Sequence, residues 1–406
     1  LTRNHKAKRF GFISTKTSSQ AFNRRRRDDR LGEKNPISIA FGIPNRPWVD
    51  SADGAAVRIA MTVGIPGRAE GVLQNVVREI DIPGDDEAAI TLSTARGKIF
   101  SDLTIGADVA GAVPLLAGSE LHSNGMMLAG SGFIVEPEKA RELGLGSDEQ
   151  VSSVIKPYRN GKDLTQVARG VLLIDLHGLE EHDVKHRFPA IYQHVLDKVK
   201  PERDLNRRPR LKEKWWLFGE PRKTFRRAVV GLKRYIVTPE TAKHRFFVFL
   251  DSSIVPDHGT IAIAVEDAFF LGVLNSNIHV TWALAAGGRL GVGDDPRYNK
   301  ARCFDPFPFP ACTPAQQEKI RALGEQLDAH RKRQQALHPE LTMTGMYNVL
   351  EALRAGTPLT AKEKVIYEQG LVGILKQLHD ELDAAVAEAY GWPANLPTDE
   401  ILTRLV

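Results

Sequence analysis

From Trp282 to Pro310 the chain runs W-A-L-A-A-G-G-R-L-G-V-G-D-D-P-R-Y-N-K-A-R-C-F-D-P-F-P-F-P, and a dense set of polar side chains falls in its middle. These are Arg289, Asp294, Asp295, Arg297, Tyr298, Asn299 and Lys300. An arginine forks onto the two acceptors of a guanine, an asparagine bridges adenine, and a carboxylate accepts from the cytosine amino group, so the set can read base edges in a DNA groove. Gly291 and Gly293 loosen the backbone between them, so a flexible loop is expected. Phe304, Phe307 and Phe309, set between prolines, form an apolar strap expected to pin that loop to a core. An ordinary polar surface loop has the same composition, so composition alone does not choose between the two. A phosphate-binding glycine loop is excluded, because no Gly-Lys-Ser/Thr follows and no strand precedes.

Other chemistry is thinly represented. His182 and His186 stand four apart, one helical turn, but no third ligand is spaced to match and Pro189 interrupts the helix, so no zinc site is expected. Glu180-Glu181 and Asp294-Asp295 are adjacent in sequence, which does not define a shared acid–base site. No Gly-x-Ser-x-Gly elbow occurs. Donors to phosphate are abundant instead. Lys156-Pro-Tyr-Arg-Asn-Gly-Lys-Asp163 is a turn offering Arg159 and Lys162. Asn206-Arg207-Arg208-Pro209-Arg210 leads into Trp215-Trp216, which could be base-stacking platforms but are expected to be buried. Arg222, Lys223, Arg226, Arg227, Lys243 and Arg245 extend the positive character. Contacts of this kind give affinity without sequence choice.

The charge distribution agrees. The chain carries a net charge of +5, while residues 201–234 hold 12 Lys/Arg against 4 Asp/Glu. An excess of eight in one block leaves the remainder slightly acidic, the footprint of a polyanion binder, although a solvated basic face has the same signature. The four arginines Arg24–Arg27 are followed by Asp28 and Asp29 and fit a solvated helix face. With 42% hydrophobic and 26% charged residues the chain has the composition of a globular protein. At 406 residues it has room for two or three domains. No apolar run approaches the roughly 18 residues of a membrane span. Cys303 and Cys312, without companions, build neither a disulfide framework nor a zinc site, and a reducing cytoplasm is expected.

The elements that would position these residues follow from periodicity. Phe10–Ser14, Ile37–Phe41 and Ala55–Val63 are β-prone runs, with a polar helix expected from Thr17 to Arg30 and a loop over P-N-R-P-W-V-D-S-A-D-G (44–54). Three strands and a helix do not close a doubly wound sheet, so a further part of this domain is expected upstream. A Gly/Ala-rich stretch, Gly106–Gly132, precedes an α+β region. That region has strands at Gly170–Leu176, His244–Leu250 and Thr260–Val265, and helices at Pro189–Lys200, Asp267–Leu274 and Asn277–Ala286, ended by Gly287-Gly288. The remainder is helical: Thr313 and Gln316 form a capping box around Pro314, and Leu371, Leu375, Leu378, Leu382, Val386 and Ala389 line one stripe.

Seven ordered stretches carry a resemblance. They are G-F-I-S-T-K-T-S-S-Q-A-F-N-R-R (11–25), P-W-V-D-S-A-D-G-A-A-V-R-I-A-M (47–61), K-P-Y-R-N-G-K-D-L (156–164), V-K-P-E-R-D-L-N-R-R (199–208), R-Y-I-V-T-P-E-T-A-K-H-R-F (234–246), L-G-V-L-N-S-N-I-H-V-T-W-A-L-A-A-G-G-R-L-G (271–291) and L-H-D-E-L-D-A-A-V-A-E-A-Y-G-W (378–392). Together they resemble the C-terminal half of MmeI-like site-specific DNA methyltransferases, many of them type IIG restriction–modification enzymes that methylate adenine at N6.

The resemblance implies a multidomain α/β and α+β fold. Residues 1–115 would supply the C-terminal strands of a Rossmann-like, S-adenosylmethionine-dependent methyltransferase sheet, 120–310 the DNA target-recognition domain and 311–406 a C-terminal helical domain. It also implies double-stranded DNA as partner, base reading by the segment holding Arg289–Lys300, and a cytoplasmic, nucleoid-associated location. An aromatic residue stacks on the extruded base in related enzymes, and Trp48 lies in the corresponding loop. Two departures stand out. The family's glycine-rich cofactor motif and its Asn-Pro-Pro-Tyr motif are absent from these residues, since Asn35-Pro36 is followed by Ile-Ser, and Lys16 stands where an asparagine is expected. No catalytic residue is therefore expected within the chain, S-adenosylmethionine is expected to be held mainly by an upstream portion, and the chain alone is expected to be inactive. Two functions stay open: the DNA-recognition half of such an enzyme, or a separate specificity subunit that binds DNA and recruits catalysis.

Overall fold

The computed structural model describes residues 8–15, 36–47, 58–80, 89–115, 121–290 and 295–406. The chain divides into two compact units, residues 1–113 with 397–406, and residues 114–396.

The first unit is built on a five-stranded sheet of β1 (Phe10–Thr15), β2 (Ile37–Pro47), β3 (Arg58–Pro66), β4 (Gly71–Ile80) and β5 (Ala89–Gly97), in the order β1-β3-β2-β4-β5. Its pairings are antiparallel except β2 with β4, which is parallel. A Rossmann-like sheet is mostly parallel, and that arrangement is not what the described strands display. Two differences from the sequence expectation have a common cause. Pro44–Pro47 continues β2 as strand rather than opening a loop, with register shifts between Ile39 and Phe41 and between Ile43 and Arg46. β4 and β5, which no sequence pattern marked, pair with a shift between Val76 and Arg78. Each bulge adds a residue and breaks the two-residue alternation on which strand recognition depends. Ile39, Ala60, Leu73, Ile99 and Leu103 form the buried cluster of this unit. The helix expected over 17–30 and Trp48 lie outside the described residues.

Among the described residues, the second unit holds two four-stranded sheets, a two-stranded one and most of the helices. One four-stranded sheet, ordered β11-β10-β13-β6, is antiparallel and contains β6 (His122–Asn124), β10 (Arg234–Pro239), β11 (Val248–Asp251) and β13 (Thr260–Ile263). The other, ordered β12-β8-β9-β7, contains β7 (Ile134–Val135), β8 (Ile155–Arg159), β9 (Leu172–Ile174) and β12 (Val255–Pro256). β10 and β13 are central because both their faces are apolar: Ile236, Val237, Ile261 and Ile263 are all fully buried. Short helices α1 (Pro137–Glu142), α2 (Glu149–Val154), α3 (Gly161–Thr165), α4 (Glu181–Arg187), α5 (Pro189–Lys198), α6 (Lys200–Asp204), α7 (Pro209–Glu213) and α8 (Lys223–Ala228) fall between β7 and β10 in the chain. In α5, Pro189 takes the first turn and Ile191 and Val195 are buried, as their spacing requires.

Two apolar helices, α9 (Ala268–Asn275) and α10 (Asn277–Ala286), meet at a bend of 64° where Ser276 caps α10. No single helix among the described residues is long and apolar enough to cross a membrane. After the short α11 (Lys300–Cys303) come α12 (Pro314–Leu337), α13 (Met343–Ala355), α14 (Ala361–Gln369), α15 (Val372–Tyr390) and, in the first unit, α16 (Thr398–Leu405). The Thr313–Gln316 capping box is formed in both directions. Glycines let α9 and α12 cross closely. A Cβ on Gly324 would come within 2.4 Å of the Ala268 carbonyl oxygen, and one on Gly272 within 2.8 Å of Ile320. On α15, Leu375, Leu378, Leu382, Val386 and Ala389 are buried, but Leu371 precedes the helix in a left-handed conformation and is 42% exposed. The stripe is core, and it begins one turn later than its spacing suggested.

A buried polar network joins these helices to the sheet. Arg331, fully buried on α12, donates to the Phe247 carbonyl at 2.7 Å and the Tyr347 hydroxyl at 2.9 Å. Asn275 pairs with both backbone groups of Phe247, at 3.0 Å each. Unsatisfied, these groups would each cost about 1–3 kcal/mol, so the network holds α9, α12 and α13 in one arrangement.

Candidate nucleic-acid interface

The described ends of the segment singled out for base reading are strands, while 291–294, with Gly291 and Gly293, lie outside the described residues. β14 (Gly288–Leu290) and β15 (Asp295–Arg297) pair antiparallel, Arg289 opposite Pro296 and Leu290 opposite Asp295, so the polar run is a hairpin. α10 delivers the outgoing strand, because Gly287 ends that helix in extended geometry (φ −68°, ψ −171°). The returning strand is clamped at its other edge to residues that follow β10. Ala242 N donates to the Pro296 carbonyl at 3.3 Å, Tyr298 N donates to the Glu240 carbonyl at 2.7 Å, and Thr241 bridges to Arg297.

Beneath the hairpin is a buried aromatic and polar base. Tyr298 is 1% exposed, its hydroxyl 3.1 Å from His279 Nε2. Phe307 packs edge-on against His279 with ring centres 4.4 Å apart, and Trp282 Nε1 donates to the Cys303 carbonyl at 3.1 Å. Phe304 and Phe307 are buried, and Phe309 packs on Phe270 and Phe307, so the strap lies in the core as its composition suggested. Burial, aided by the Arg245 charge, pushes the His279 pKa down to about 3, so its ring is neutral at physiological pH. Burial also pushes the Cys303 thiol up to about 11 and the Tyr298 hydroxyl well above its ordinary value.

Two expected DNA contacts are thereby corrected. Tyr298 faces the core and cannot reach a base edge. Arg245, 7% exposed, is no phosphate ligand. Its guanidinium donates to Thr238 Oγ1 at 2.8 Å, to the Pro296 carbonyl at 3.1 Å and to the Pro239 carbonyl, and it lies 5.2 Å from the Tyr298 ring centre. It ties the end of β10 to β15. The sequence placed it among surface cations because Lys243-His244-Arg245 is a basic run; the chain's turn after β10 buries its last member.

The remaining members differ in availability. Arg289 is exposed on β14. Arg297 is exposed but donates from Nε (3.0 Å) and Nη2 (2.8 Å) to Glu240 Oε1, a residue with no sequence signal linking it to the site. Surface pairs of this kind contribute at most about 1 kcal/mol, so Glu240 can yield Arg297 to a stronger acceptor. Asp295 and Lys300 are half-buried, and half-buried Asn299 heads α11, its carbonyl accepting from Cys303 N at 2.7 Å. Asp294 lies outside the described residues.

The expected backbone contacts divide in the same way. Arg207, Arg208, Arg210 and Lys223 are exposed and make no side-chain hydrogen bond or ion pair among the described residues; Lys212 joins them, though no sequence motif points to it, and Lys162 on α3 is likewise exposed. Arg222 is structural: half-buried, in a left-handed conformation, it donates to the Gly125 carbonyl at 3.1 Å and pairs with Glu220 at 2.5 Å. Lys243 donates to Asn348 Oδ1 at 2.7 Å, and Arg159 turns back onto the Tyr158 carbonyl at 3.0 Å. Arg203 and Arg226 also serve the fold. Arg203 is fully buried on two carbonyls, and Arg226 pairs with Asp175 at 2.7 Å. Trp215 and Trp216 are buried, Trp216 Nε1 donating to the Leu179 carbonyl at 3.0 Å, so neither is a stacking platform. A cavity of about 290 Å³ separates these elements, lined by His177, Glu180, Arg210, Lys214 and Lys223. Burial and the Arg226 charge lower the His177 pKa, as a net positive surround requires. His182 and His186 are both exposed. No group of three possible metal ligands occurs among the described residues.

Residues 112–311, which include the hairpin, its buried base and the cationic block, match the family model described as MmeI, target recognition domain. This stretch is an MmeI-type target recognition domain. The wider fold agrees. The structure of the type IIL restriction-modification enzyme MmeI in complex with DNA superposes on 98% of the chain with a TM-score of 0.73, at 17% sequence identity. The chain spans about half of that structure, 49% of its length. The type IIG restriction endonuclease BpuSI covers 94% of the chain and 48% of its own, with 11% identity and a TM-score of 0.30, too low to bear on the fold. No curated protein matches the chain. The hairpin thus belongs to the MmeI-type domain, and that domain shares one compact unit with α12 to α15.

Proposed function

We propose that this chain is the DNA-recognition portion of a site-specific DNA adenine-N6 methyltransferase of the restriction–modification kind, and that its MmeI-type domain selects the site in double-stranded DNA. The observation that carries this is the hairpin: within a target recognition domain, a rigidly supported pair of short strands presents Arg289 and, beside Glu240, Arg297 at the surface. A braced element can fork an arginine onto one guanine without first paying the entropy of ordering a loop. Arg207, Arg208, Arg210, Lys212 and Lys223 supply the sequence-neutral attraction to phosphates.

S-adenosylmethionine would be the methyl donor, bound by an upstream catalytic portion. On this reading the chain's own part in the reaction is to bind and place the DNA. Trp48, outside the described residues, remains the proposed surface for an extruded adenine. In the full enzyme Trp48→Ala is expected to lose methylation far more than DNA affinity. The proposed location is the cytoplasm, on DNA.

The test is selection from a randomised duplex pool, followed by mapping of methylated sites for Arg289→Ala and Arg297→Ala in the full-length enzyme. Relaxed choice at one base position, at a cost of about 1–3 kcal/mol there, is the expected result. A uniform loss at every site with an unchanged motif would show that these arginines touch only phosphates. The alternative, a specificity subunit acting with a separate catalytic chain, predicts selection by this chain alone and methylation only when a second polypeptide is added.

A further inference from the structure

Among the described residues, the two most exposed large hydrophobic side chains are Leu205, at 87%, and Val230, at 79%, and both lie in the 201–234 block that carries 12 Lys/Arg. A lone exposed leucine needs no explanation by itself. Its setting does. Leu205 closes α6 in helical geometry (φ −82°, ψ −10°), on a turn braced from both sides. On one side Arg203 is locked in the interior on the Leu128 and Leu217 carbonyls, at 2.8 and 2.9 Å. On the other, Asn206 Oδ1 accepts from Arg208 N at 3.0 Å, and Pro209 starts α7. Asn206 N also donates back to the Arg203 carbonyl at 3.0 Å. The turn therefore projects an aliphatic tip from a fixed base, with Arg207, Arg208 and Arg210 beside it, exposed and without ion-pair partners among the described residues.

An apolar protein surface docked on this tip would have to strip water from three uncompensated guanidiniums, at a cost that nothing in such a partner returns. A polyanion with an apolar interior meets both requirements. Duplex DNA is one: phosphates take the arginines, and the space between adjacent base pairs takes an aliphatic side chain, at the cost of partly unstacking them. We propose that Leu205 enters the duplex as a wedge between two base pairs, with Arg207 and Arg208 holding phosphates on either side. This rests on the DNA-binding function proposed above and adds a residue that distorts DNA rather than reading it. Sequence choice at that step would then come from how easily it unstacks.

The experiment uses the duplex that the chain retains from a randomised pool, with 2-aminopurine placed in turn at each adenine. Binding of the unaltered chain is expected to raise the fluorescence at one step, where stacking is lost. Leu205→Ala is expected to return that step to the brightness of free duplex and to weaken binding roughly tenfold, with the salt dependence unchanged because no charge is removed. Leu205→Met is expected to restore both. The wedge is overturned if no step brightens with the unaltered chain, or if Leu205→Ala leaves brightness and affinity as they were. It is also overturned if Leu205→Ala weakens binding while no step had brightened, since the leucine then only rests against the groove. Retention of no duplex at all would overturn the DNA-binding proposal itself, a result distinct from each of these.

Discussion

Arg245→Met discriminates an anchor from a phosphate ligand. The guanidinium makes three good hydrogen bonds, to Thr238 Oγ1, Pro296 O and Pro239 O. Bonds from a charged donor contribute about 1.5–3 kcal/mol each. Against this, burial pushes the arginine pKa down to about 10 from 12.5, which corresponds to roughly 3 kcal/mol held against the charged form. Methionine keeps much of the stem's packing and removes that penalty, but it takes a donor from the Thr238 hydroxyl and from the Pro239 and Pro296 carbonyls, of which Pro296 keeps the weaker bond from Ala242 N. The net expectation is a loss of roughly 2–5 kcal/mol, read as a fall in the urea midpoint without a change in slope. Because these bonds hold the hairpin, sequence preference in duplex selection should weaken more than affinity for random DNA. The salt dependence of random-duplex binding should not change, whereas removing a true phosphate ligand would flatten its logarithmic slope by about 0.9. A variant of full stability with a flatter slope would refute the buried-anchor assignment.

Three further outcomes are expected. Reversing charge at Arg207, Arg208 and Arg210 should weaken binding to all duplexes alike and flatten the salt slope by about 0.9 for each phosphate no longer neutralised, measured by titration at several salt concentrations; an unchanged slope in the folded variant would exclude a role for them on the DNA backbone. His279, with its pKa lowered to about 3, contributes stability that is fully present above about 6.5 and is lost as pH falls towards 3, because only the unfolded chain takes up the proton; the expected slope from this group is about 1.4 kcal/mol per pH unit, and a charged His279 ring seen by NMR at pH 5 would contradict it. Asp383, whose pKa burial raises to about 6, accepts from Asn277 N at the start of α10 at 2.6 Å, and its contribution is present below about 3.8 and lost as pH rises through 6. Asp383→Asn keeps that acceptor, so it should be more stable than the unaltered chain at pH 8, by at most about 3 kcal/mol, with the gap closing by pH 4; a gap that does not depend on pH would show that the carboxylate's charge is not the cause.

Much of the second unit was legible in sequence because its signals are local. Asn277–Ala286 was bounded by an apolar period and by Gly287, and the Thr313 capping box needs only four consecutive residues. The first unit was less legible. β4 and β5 are bulged and only partly buried, and a pattern of period two does not survive an inserted residue. At the interface, the density of charges over 201–234 was visible, but which of them are free was not. Arg203, Arg222 and Arg226 look like Arg207 and Arg208 in composition, and differ only in having carbonyls or carboxylates from residues 125, 128, 175, 217 and 220 to bind.

What the sequence determined by itself is a vocabulary: cations and amides grouped at 289–300 and 201–234, an apolar strap of phenylalanines, and ordered motifs resembling MmeI-like methyltransferases. What only the tertiary structure decided is which words are spoken to solvent. Tyr298 stands between Arg297 and Asn299 in the chain, yet, directly after β15, it packs on His279 and Phe247 in the core, so the tyrosine is buried while Arg297 is exposed. Arg245 is buried because the chain after β10 turns back, so that Thr238 and Pro239 at the end of β10 and Pro296 on β15 offer it three acceptors. A cation's role depends on the acceptors within about 3 Å of it, and those are brought there by residues far away in sequence.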